Sequence, residues 1–243
     1  MRVRLPLPAP KYKKMLIIAH RGDTIHYPEN TFKAFESAFE LGADGIELDI
    51  HLYKNDLIVV HDFLFNRSKK HPKFEEILRE IHDKGRIEIE VKAWDMKILS
   101  NLKQILSQYP NDDFELTTSE IPLASHARQV FPQVRIGLIM GKHLFEDWMN
   151  FEVVCGKIIG WAKMSGANVV HLPYLTIEQF GKGRLVDKIH QAGIKVHSHI
   201  FKDVFQQKRL GNIKRWGVDQ CTVDDVVLCS RPIQEGKNMV KSN

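Results

Sequence analysis

This sequence of 243 residues has few cysteines and no apolar run long enough to cross a membrane. Its three cysteines, at positions 155, 221 and 229, are scattered and form no C-x-x-C pair. Such a set favours free thiols in a reducing, cytoplasmic compartment, with a secreted protein, unprocessed or trimmed, as the alternative. No apolar stretch approaches the ~20 residues of a transmembrane segment, so we expect none. Residues 1–14 carry charge without a long apolar core, which is not typical of a signal peptide.

The chain also lacks a lysine and arginine cluster interleaved with aromatic residues, and we therefore expect no nucleic-acid partner. Its net charge of +5 and isoelectric point near 9.0 fit an anionic small-molecule substrate, and they fit plain solubility as well. The sequence contains neither a linker nor a low-complexity tract. We predict a single domain over residues 1–243, with an irregular lead-in over 1–14 and a frayed polar tail over 230–243. The oligomeric state does not follow from the sequence.

Buried strands and amphipathic helices alternate along the chain. A continuous apolar run at residues 15–19 is typical of a strand that is buried on both faces. A helix follows it, with Asn30 or Thr31 as the N-cap and Gly42 just beyond the last turn. Further helices are predicted over 74–84, 96–108, 123–130, 145–165, 177–191 and 204–216.

Eight strands are predicted to run parallel once the return strand of a hairpin is set aside. They begin near residues 15, 45, 86, 114, 134, 167, 194 and 218. Strands and helices alternating in this number predict an α/β fold, a single (β/α)8 TIM barrel with a β-hairpin extension after its second strand. Active sites of such barrels lie at the C-terminal ends of the strands.

The hairpin at residues 45–63 carries two acidic residues and one histidine that are central to the functional interpretation. Only residues 53–56 separate its two strands, which is too few for a parallel crossover. Alternation along the first strand places Glu47 and Asp49 on one face. Two neighbouring carboxylates repel each other and lose hydration, which a bound cation explains more easily than packing does. The hairpin register brings His61, just after the return strand, beside both carboxylates.

Polar side chains end three neighbouring strands of the predicted barrel. His20 ends the first strand, and Glu47 and Asp49 lie late in the second. Glu90 and Lys92 lie late in the third strand, so that all five are expected at one mouth. The three carboxylates suit one hard divalent cation, Mg²⁺ or Ca²⁺, because these ions prefer oxygen ligands. Zinc would recruit more histidine or cysteine ligands.

Two histidines, His20 and His61, flank the predicted ion site. Imidazoles on opposite sides of a metal suit general acid and general base chemistry near neutral pH, and which histidine performs which task stays open. Arg21 and Lys92 supply positive charge for an anion, most naturally a phosphate. Simple pairing with Glu90 is the alternative role for Lys92.

Other polar residues near the strand ends have plainer interpretations. Glu88 is expected to be solvated or salt-bridged, and His51 is expected to be an exposed residue of the hairpin. His171 and His199 are candidate substrate contacts. His197 is assigned to the opposite face of its strand, and it receives no role, like the histidines of the loops and helices.

Five motifs follow one another along the first part of the chain. They are His-Arg-Gly at 20–22, Pro-Glu-Asn-Thr at 28–31, Gly-Ala-Asp-Gly-Ile-Glu-Leu-Asp at 42–49, Val-Val-His-Asp at 59–62 and Ile-Glu-Val-Lys at 89–92. In these motifs the sequence resembles the glycerophosphodiester phosphodiesterase family, with a specificity that a short pattern such as G-x-G-x-x-G lacks. Weaker similarity at 135–138, 193–196 and 217–219 extends the resemblance over nearly the whole chain.

The resemblance implies a (β/α)8 barrel and metal-dependent hydrolysis of glycerophosphodiesters to sn-glycerol 3-phosphate and an alcohol. The implied roles are catalysis for His20 and His61, metal ligation for Glu47, Asp49 and Glu90, and phosphate contact for Arg21 and Lys92. The expected reaction uses one divalent cation, histidine acid–base catalysis and a cyclic phosphate intermediate. The alternatives are a lysophospholipase D or sphingomyelinase D-like enzyme on the same barrel, and a non-catalytic metal-binding homologue.

Three features depart from the family pattern. The loop over 63–73 is shorter than the insertion that usually follows the His-Asp motif, which leaves the substrate head group open. Near the seventh strand, His-Ile-Phe-Lys at 199–202 stands in place of Trp-Thr-Val-Asn. An imidazole thus replaces an aromatic wall, and we predict that His199 contacts the substrate. The hairpin turn reads Asn-Asp at 55–56 in place of Asp-Gly, which should matter little.

Overall fold

The computed structural model of the protein describes residues 14–92, 95–200 and 205–230. These ranges contain a sheet of nine strands. In chain order they are β1 (Leu16–His20), β2 (Gly45–Tyr53), β3 (Asp56–Val59), β4 (Arg86–Val91), β5 (Phe114–Thr118), β6 (Arg135–Ile139), β7 (Val169–Pro173), β8 (Lys195–Ile200) and β9 (Gln220–Val223). The predicted lead-in and tail lie outside the described residues, apart from Lys14 and Ser230, and so do Phe201 and Lys202.

Helices separate the strands of the barrel. They are α1 (Phe32–Glu40), α2 (Phe74–Ile81), α3 (Lys97–Leu106), α4 (Ile121–Val130), α5 (Phe151–Ser165), α6 (Tyr174–Gln179), α7 (Gly183–Gln191), α8 (Gln206–Arg215) and α9 (Val226–Ser230), with a short 3₁₀ helix at Lys142–Leu144. Within the described ranges, none of these helices combines the length and apolar character that a membrane crossing requires.

All of the strands except β3 run parallel and close into a barrel. Closure is achieved because β1 pairs with β9 on one side and with β2 on the other. The outward face of β2 is apolar, and Ile46, Leu48 and Ile50 are fully buried under the helices. The predicted (β/α)8 TIM barrel is thereby confirmed, and the predicted strand starts agree with the observed ones to within two residues.

The hairpin extends β2 beyond the barrel and returns as β3. Its antiparallel register pairs Ile50 with Val59 and Tyr53 with Asp56, as the length of the connection predicted. Lys54 and Asn55 form the turn with φ angles of 50° and 68°, the left-handed conformation of a two-residue type I′ turn. Beyond the ladder, the Val60 amide donates to the Asp49 carbonyl oxygen at 3.1 Å. This bond brings His61 back to the level of the acidic residues.

Two predicted helices differ in extent from the observed ones. The helix predicted over 177–191 is interrupted, because Gly181 and Lys182 have φ angles of 135° and 54° that a right-handed helix does not allow. The helix predicted over 145–165 begins at Phe151, where the Asn150 side chain caps it by accepting from the Val153 amide at 3.0 Å.

The interior of the barrel is polar, whereas branched aliphatic residues usually fill such barrels. Glu88 lies in register with Glu115, and His171 lies in register with His197. All four are at most 1% exposed. The expectation that Glu88 is solvated is wrong, because its buried carboxylate faces the imidazoles of His171 and His197. The outward placement of His197 is also wrong, because it shares the inward strand face with His199, two residues away.

Candidate active site

A cavity of about 510 Å³ opens at the C-terminal ends of the barrel strands. Six of the eight predicted site residues line it, namely His20, Arg21, Glu47, His61, Glu90 and His199. The other two lie behind the lining, where Asp49 contacts Arg21 and Lys92 contacts Glu90. The barrel therefore brings together residues from β1, β2, β4 and β8 and from the end of the hairpin.

Three carboxylates form an acidic cluster on the wall of this cavity. Glu47, Asp49 and Glu90 each place an oxygen within 4.8 Å of an oxygen of the other two. Burial, followed by the charges of Asp49 and Glu90, raises the pKa of Glu47 well above its ordinary value. The Asp49 Oδ1 atom is buried and forms no hydrogen bond, although Lys92 Nζ lies 3.3 Å away. Buried carboxylates that repel one another in this way fit a divalent cation with oxygen ligands.

Two cationic side chains partly balance the acidic cluster. Lys92 Nζ lies 3.0 Å from Glu90 Oε1, and Arg21 Nε lies 3.2 Å from Asp49 Oδ2. Although burial opposes ionisation of Asp49, Lys92, a hydrogen bond from Asn30 and then Arg21 hold its pKa below the ordinary value. Lys92 thus makes the ion pair with Glu90 that the sequence left as an alternative. Its contact with a phosphate stays a prediction.

Both predicted catalytic histidines are paired with aspartates. His20 Nδ1 lies 2.7 Å from Asp224 Oδ1, and His61 Nδ1 lies 3.0 Å from Asp62 Oδ1. The His20 and His61 side chains are 20% and 35% exposed, so both rings can be reached from the cavity. A carboxylate on Nδ1 fixes the orientation and tautomer of an imidazole, as in acid–base catalysis.

Two residues of the site were not found by the sequence analysis. Asn30 donates from Nδ2 to Asp49 Oδ2 at 2.9 Å, and it is not the helix cap, because the Thr31 hydroxyl accepts from the Ala34 amide. Asp224 follows β9 directly, where it meets His20. The polar Pro-Glu-Asn-Thr motif was a signal for Asn30. A carboxylate just past the last barrel strand was the signal for Asp224.

The expectation that His51 is exposed is wrong. The residue is only 6% exposed, because Phe63 and Phe65 fold back against its ring at centroid distances of 5.3 and 5.5 Å. Burial therefore lowers the pKa of His51. The loop that follows His61 covers the hairpin by packing its aromatic side chains on β2.

A histidine layer forms the floor of the cavity. His171, predicted as a substrate contact, is fully buried and stacks on His197 with ring centroids 4.1 Å apart. His199 lies 5.1 Å from His197 by the same measure and lines the cavity. Burial, followed by His171, holds the pKa values of His197 and His199 well below the ordinary value, so both rings are neutral near pH 7.

Apolar residues form the opposite side of the cavity. Ile139 ends β6, Met140 follows it, and Pro173 and Leu175 come from the end of β7 and the start of α6. The acidic cluster lies on β2 and β4, across the barrel from these strands. The cavity therefore has a charged half and an apolar half, which would contact chemically different parts of a ligand.

Comparison with known proteins relates the chain to phosphodiesterases. The model of the glycerophosphoryl diester phosphodiesterase family matches residues 20–149. A glycerophosphodiester phosphodiesterase of Caldanaerobacter subterraneus is 57% identical over 56 residues, which are 23% of either chain. An uncharacterized protein of Mycoplasma genitalium is 39% identical over 114 residues, which are 45% of this chain and 46% of the other. The matches to these two relatives thus span 23% and 46% of their lengths.

Solved structures share the fold. The crystal structure of a glycerophosphodiester phosphodiesterase from Thermotoga maritima superposes with a TM-score of 0.70 at 20% identity, over 89% of this chain and 97% of that one. A phosphodiesterase from Oleispira antarctica in complex with the product sn-glycerol-3-phosphate superposes with a TM-score of 0.70 at 16% identity, over 86% and 92% of the two chains. At these identities the likeness establishes the barrel fold.

Proposed function

Since the chain belongs to the glycerophosphoryl diester phosphodiesterase family, we propose that it cleaves glycerophosphodiesters to sn-glycerol 3-phosphate and an alcohol. The observation that supports this most is that the acidic cluster meets two aspartate-paired histidines at one cavity. The product complex of the Oleispira antarctica phosphodiesterase supports a small-molecule substrate of this class.

Glu47, Asp49 and Glu90 would hold one divalent cation, Mg²⁺ or Ca²⁺. The fit rests on the buried Asp49 Oδ1 that forms no hydrogen bond and on an all-oxygen donor set, which suits a hard ion. When bound there, the cation supplies positive charge for a phosphate oxygen and for the glycerol hydroxyl beside it.

The cationic residues of the charged half, Arg21 and Lys92, bind the phosphate. Arg21 lines the cavity, and Lys92 stands directly behind Glu90. A planar guanidinium can donate two parallel hydrogen bonds to a phosphate, whereas an ammonium acts as a point charge. His199 faces the bound substrate from the floor, as a neutral imidazole.

The histidines carry the proton transfers. His20 takes the proton of the glycerol C2 hydroxyl as that oxygen attacks phosphorus. The bond between phosphorus and the alcohol oxygen breaks, and His61 gives its proton to the leaving oxygen. In the second half, His61 takes a proton from water, whose oxygen opens the cyclic phosphate, and His20 returns its proton to the C2 oxygen. Asp224 and Asp62 hold the two rings in place.

A second candidate, a lysophospholipase D or sphingomyelinase D-like activity, is favoured by the apolar half of the cavity. Met140 and Leu175 offer an alkyl chain a surface next to the phosphate position. Phe63 and Leu64, directly after the His61 motif, are 56% and 98% exposed. A long acyl chain would cover such residues. The third candidate, a non-catalytic homologue, is disfavoured because His20 and His61 are both present.

The compartment and organisation of the protein remain proposals alongside its function. We propose a cytoplasmic location, in keeping with the scattered cysteines, of which Cys155 is a buried thiol in α5. We propose a single domain over 1–243 as well, because the barrel strands reach from β1 to β9 without a second core among the described residues.

A coupled assay tests the proposed function. The protein is incubated with glycerophosphocholine and Mg²⁺ or Ca²⁺, and released glycerol 3-phosphate is measured with its dehydrogenase. Product formation that a chelator stops supports the first candidate, and turnover of lysolipids alone supports the second. If no diester is turned over while metal binding is intact, both are wrong. The variant His126→Asn, on the exposed side of α4, is the control that should keep wild-type activity.

A further inference from the structure

Below the acidic cluster, one glutamate faces two imidazoles in the interior of the barrel. Glu88 Oε1 lies 3.4 Å from His171 Nδ1, and Glu88 Oε2 lies 3.3 Å from His197 Nδ1. All three residues are at most 1% exposed. Glu88 Oε2 and His171 Nδ1 are buried atoms without a hydrogen bond. Buried polar atoms normally have such a partner, so these two atoms call for an explanation.

The separations are those of ligands that share an ion. A charge-assisted hydrogen bond between nitrogen and oxygen measures about 2.7–2.9 Å, so 3.3 and 3.4 Å are too long. Two ligand atoms bound to a tetrahedral zinc ion at about 2.0–2.1 Å lie roughly 3.4 Å apart. The space between Glu88 and the two rings therefore has the dimensions of a metal site.

Hydrogen bonds on the far side of each ring set the tautomers that a metal needs. His171 Nε2 lies 2.8 Å from Glu115 Oε1, and His197 Nε2 lies 2.7 Å from Thr222 Oγ1. Metal-binding histidines commonly donate their second N–H to a carboxylate or another oxygen in this manner. Each Nδ1 then carries a lone pair on the side of Glu88.

Gln220 provides independent support for the tautomer of His197. Its amide oxygen accepts from Arg86, and its nitrogen donates to both oxygens of Glu115 at 2.9 and 3.0 Å, which fixes the amide orientation. The same nitrogen donates to His197 Nδ1 at 2.8 Å. His197 Nδ1 is thus an acceptor, and it faces the Glu88 carboxylate, a second acceptor. A cation between them would remove this repulsion, while Gln220 would keep its bonds to Glu115.

The site has room and an entrance. Position 137 is a glycine, and a Cβ atom there would lie 2.5 Å from His171 Nε2, so the glycine makes space for the ring. Glu88 and His171 both line the floor of the open cavity, which gives an ion a path from solvent. Nitrogens of His171, His197 and His199 lie within 4.8 Å of one another, so a third imidazole stands beside the pair.

We propose that Glu88, His171 and His197 form a second metal site, which takes a first-row transition ion of the zinc type. Imidazole nitrogen with one carboxylate suits such ions, whereas the all-oxygen cluster above suits Mg²⁺ or Ca²⁺. The two sites lie on one face of β4, where Glu88 and Glu90 are two residues apart. The second site holds its ion whether or not the protein hydrolyses phosphodiesters.

Cobalt is the probe, because its visible absorption reports nitrogen-containing, low-coordinate sites. The full-length protein is titrated with Co²⁺ in excess Mg²⁺, which occupies the acidic cluster. We expect visible bands that saturate at one Co²⁺ per chain and disappear when Zn²⁺ is added. In the nearly isosteric Glu88→Gln and in His171→Asn, we expect the bands to vanish and the Co²⁺ affinity to fall at least ~100-fold.

Three further variants separate this site from its surroundings. Thr222→Val removes the acceptor of His197 Nε2, and we expect a ~10–100-fold loss of affinity with the fold kept. Glu47→Gln should keep the cobalt bands although it weakens Mg²⁺ binding, and the exposed His126→Asn should change neither. Circular dichroism confirms that each variant is folded. Absence of bands in the wild type, or bands that survive Glu88→Gln and Thr222→Val, would overturn the proposal.

Discussion

His20 and Asp224 are separated by 204 positions in sequence, yet their Nδ1 and Oδ1 atoms lie 2.7 Å apart. The contact exists because β1 and β9 are the first and last strands of the barrel and close it by pairing with each other. The side chains are each 20% exposed, so the bond is partly shielded from water. The ring closure thus places a carboxylate behind His20, one of the two histidines proposed to be catalytic.

Asp224→Asn should therefore lower kcat by about 10–10²-fold with little change in KM, because an amide no longer holds the His20 tautomer that general acid–base catalysis needs. Steady-state kinetics on glycerophosphocholine measure both constants. The neighbouring Asp225→Asn is the matched control, since its side chain caps the Leu228 amide outside the cavity. An equal loss in both variants would contradict a specific positioning role.

Replacing either of the histidines proposed to be catalytic should nearly abolish turnover. His20→Ala and His61→Ala should each reduce kcat by ~10²–10⁴-fold, the range for a positioned acid or base. The double variant should lose little more than the worse single variant, because residues that act as a unit are not additive. The kcat values of the two single variants and the double variant test this prediction. If the free-energy losses of the single variants add up in the double variant, the two rings act independently.

The acidic cluster should control Mg²⁺ affinity. Glu47→Gln removes one of three anionic ligands, so we expect Mg²⁺ binding to weaken by about tenfold or more. Isothermal titration calorimetry measures the binding directly, and activity should return partly at higher Mg²⁺. Glu75→Gln, on the exposed face of α2, changes the net charge equally and should leave the affinity unaltered. Equal affinities in the Glu47 variant and the wild type would remove Glu47 from the ligand set.

At the other end of the barrel, His190 and Asp219 make stability depend on pH. His190 Nε2 lies 2.7 Å from Asp219 Oδ2, and this hydrogen bond raises the pKa of His190. A raised pKa means that the charged histidine stabilises the fold below about pH 6.5, its ordinary pKa, and that this stability is lost as pH rises through the higher folded value.

His190→Asn should therefore be less stable than the wild type at pH 5.5 by about 0.2–1 kcal/mol, because the His190 side chain is 35% exposed and solvent screens the pair. The difference should shrink at pH 9. Urea denaturation at both pH values measures it, with His126→Asn as the control. A difference that grows with pH would contradict the sign of the pKa shift.

The exposed apolar residues that follow the His61 motif should matter for lipid substrates alone. Leu64 is 98% exposed in the loop after His61, so Leu64→Ser should lower the turnover of a lysophospholipid several-fold and leave that of glycerophosphocholine unchanged. Met164→Ser is the control, since Met164 is 62% exposed near the C-terminal end of α5, away from the cavity. Equal effects on both substrates would remove the lipid interpretation.

The hairpin shows what local pattern alone can predict. Strand alternation and a very short connection were sufficient to place Glu47, Asp49 and His61 together, because antiparallel register follows from the length of the turn. The structure keeps that register from Ile50 to Tyr53. The motif of Glu90 and Lys92 was placed correctly for a different reason, namely that the parallel strands of a barrel end at one mouth.

Local sequence patterns did not predict which polar side chains are buried or which distant residues they contact. His51 was predicted to be exposed because its strand leaves the barrel, but Phe63 and Phe65 cover it. The inward position of Glu88 gave no sign that two imidazoles from β7 and β8 would meet it. Such contacts depend on strands on different sides of a closed ring, which no short pattern records.

By itself the sequence determined the number of barrel strands, the hairpin register and the residues gathered at the mouth, because apolar periodicity and connection length act over a few neighbouring residues. Only the tertiary structure decided that Asp224 holds His20, that Asn30 holds Asp49 and that Glu88 faces two histidines. These contacts join distant parts of the chain. Their geometry is set by closure of the ring, which fixes the height and tilt of every strand at once.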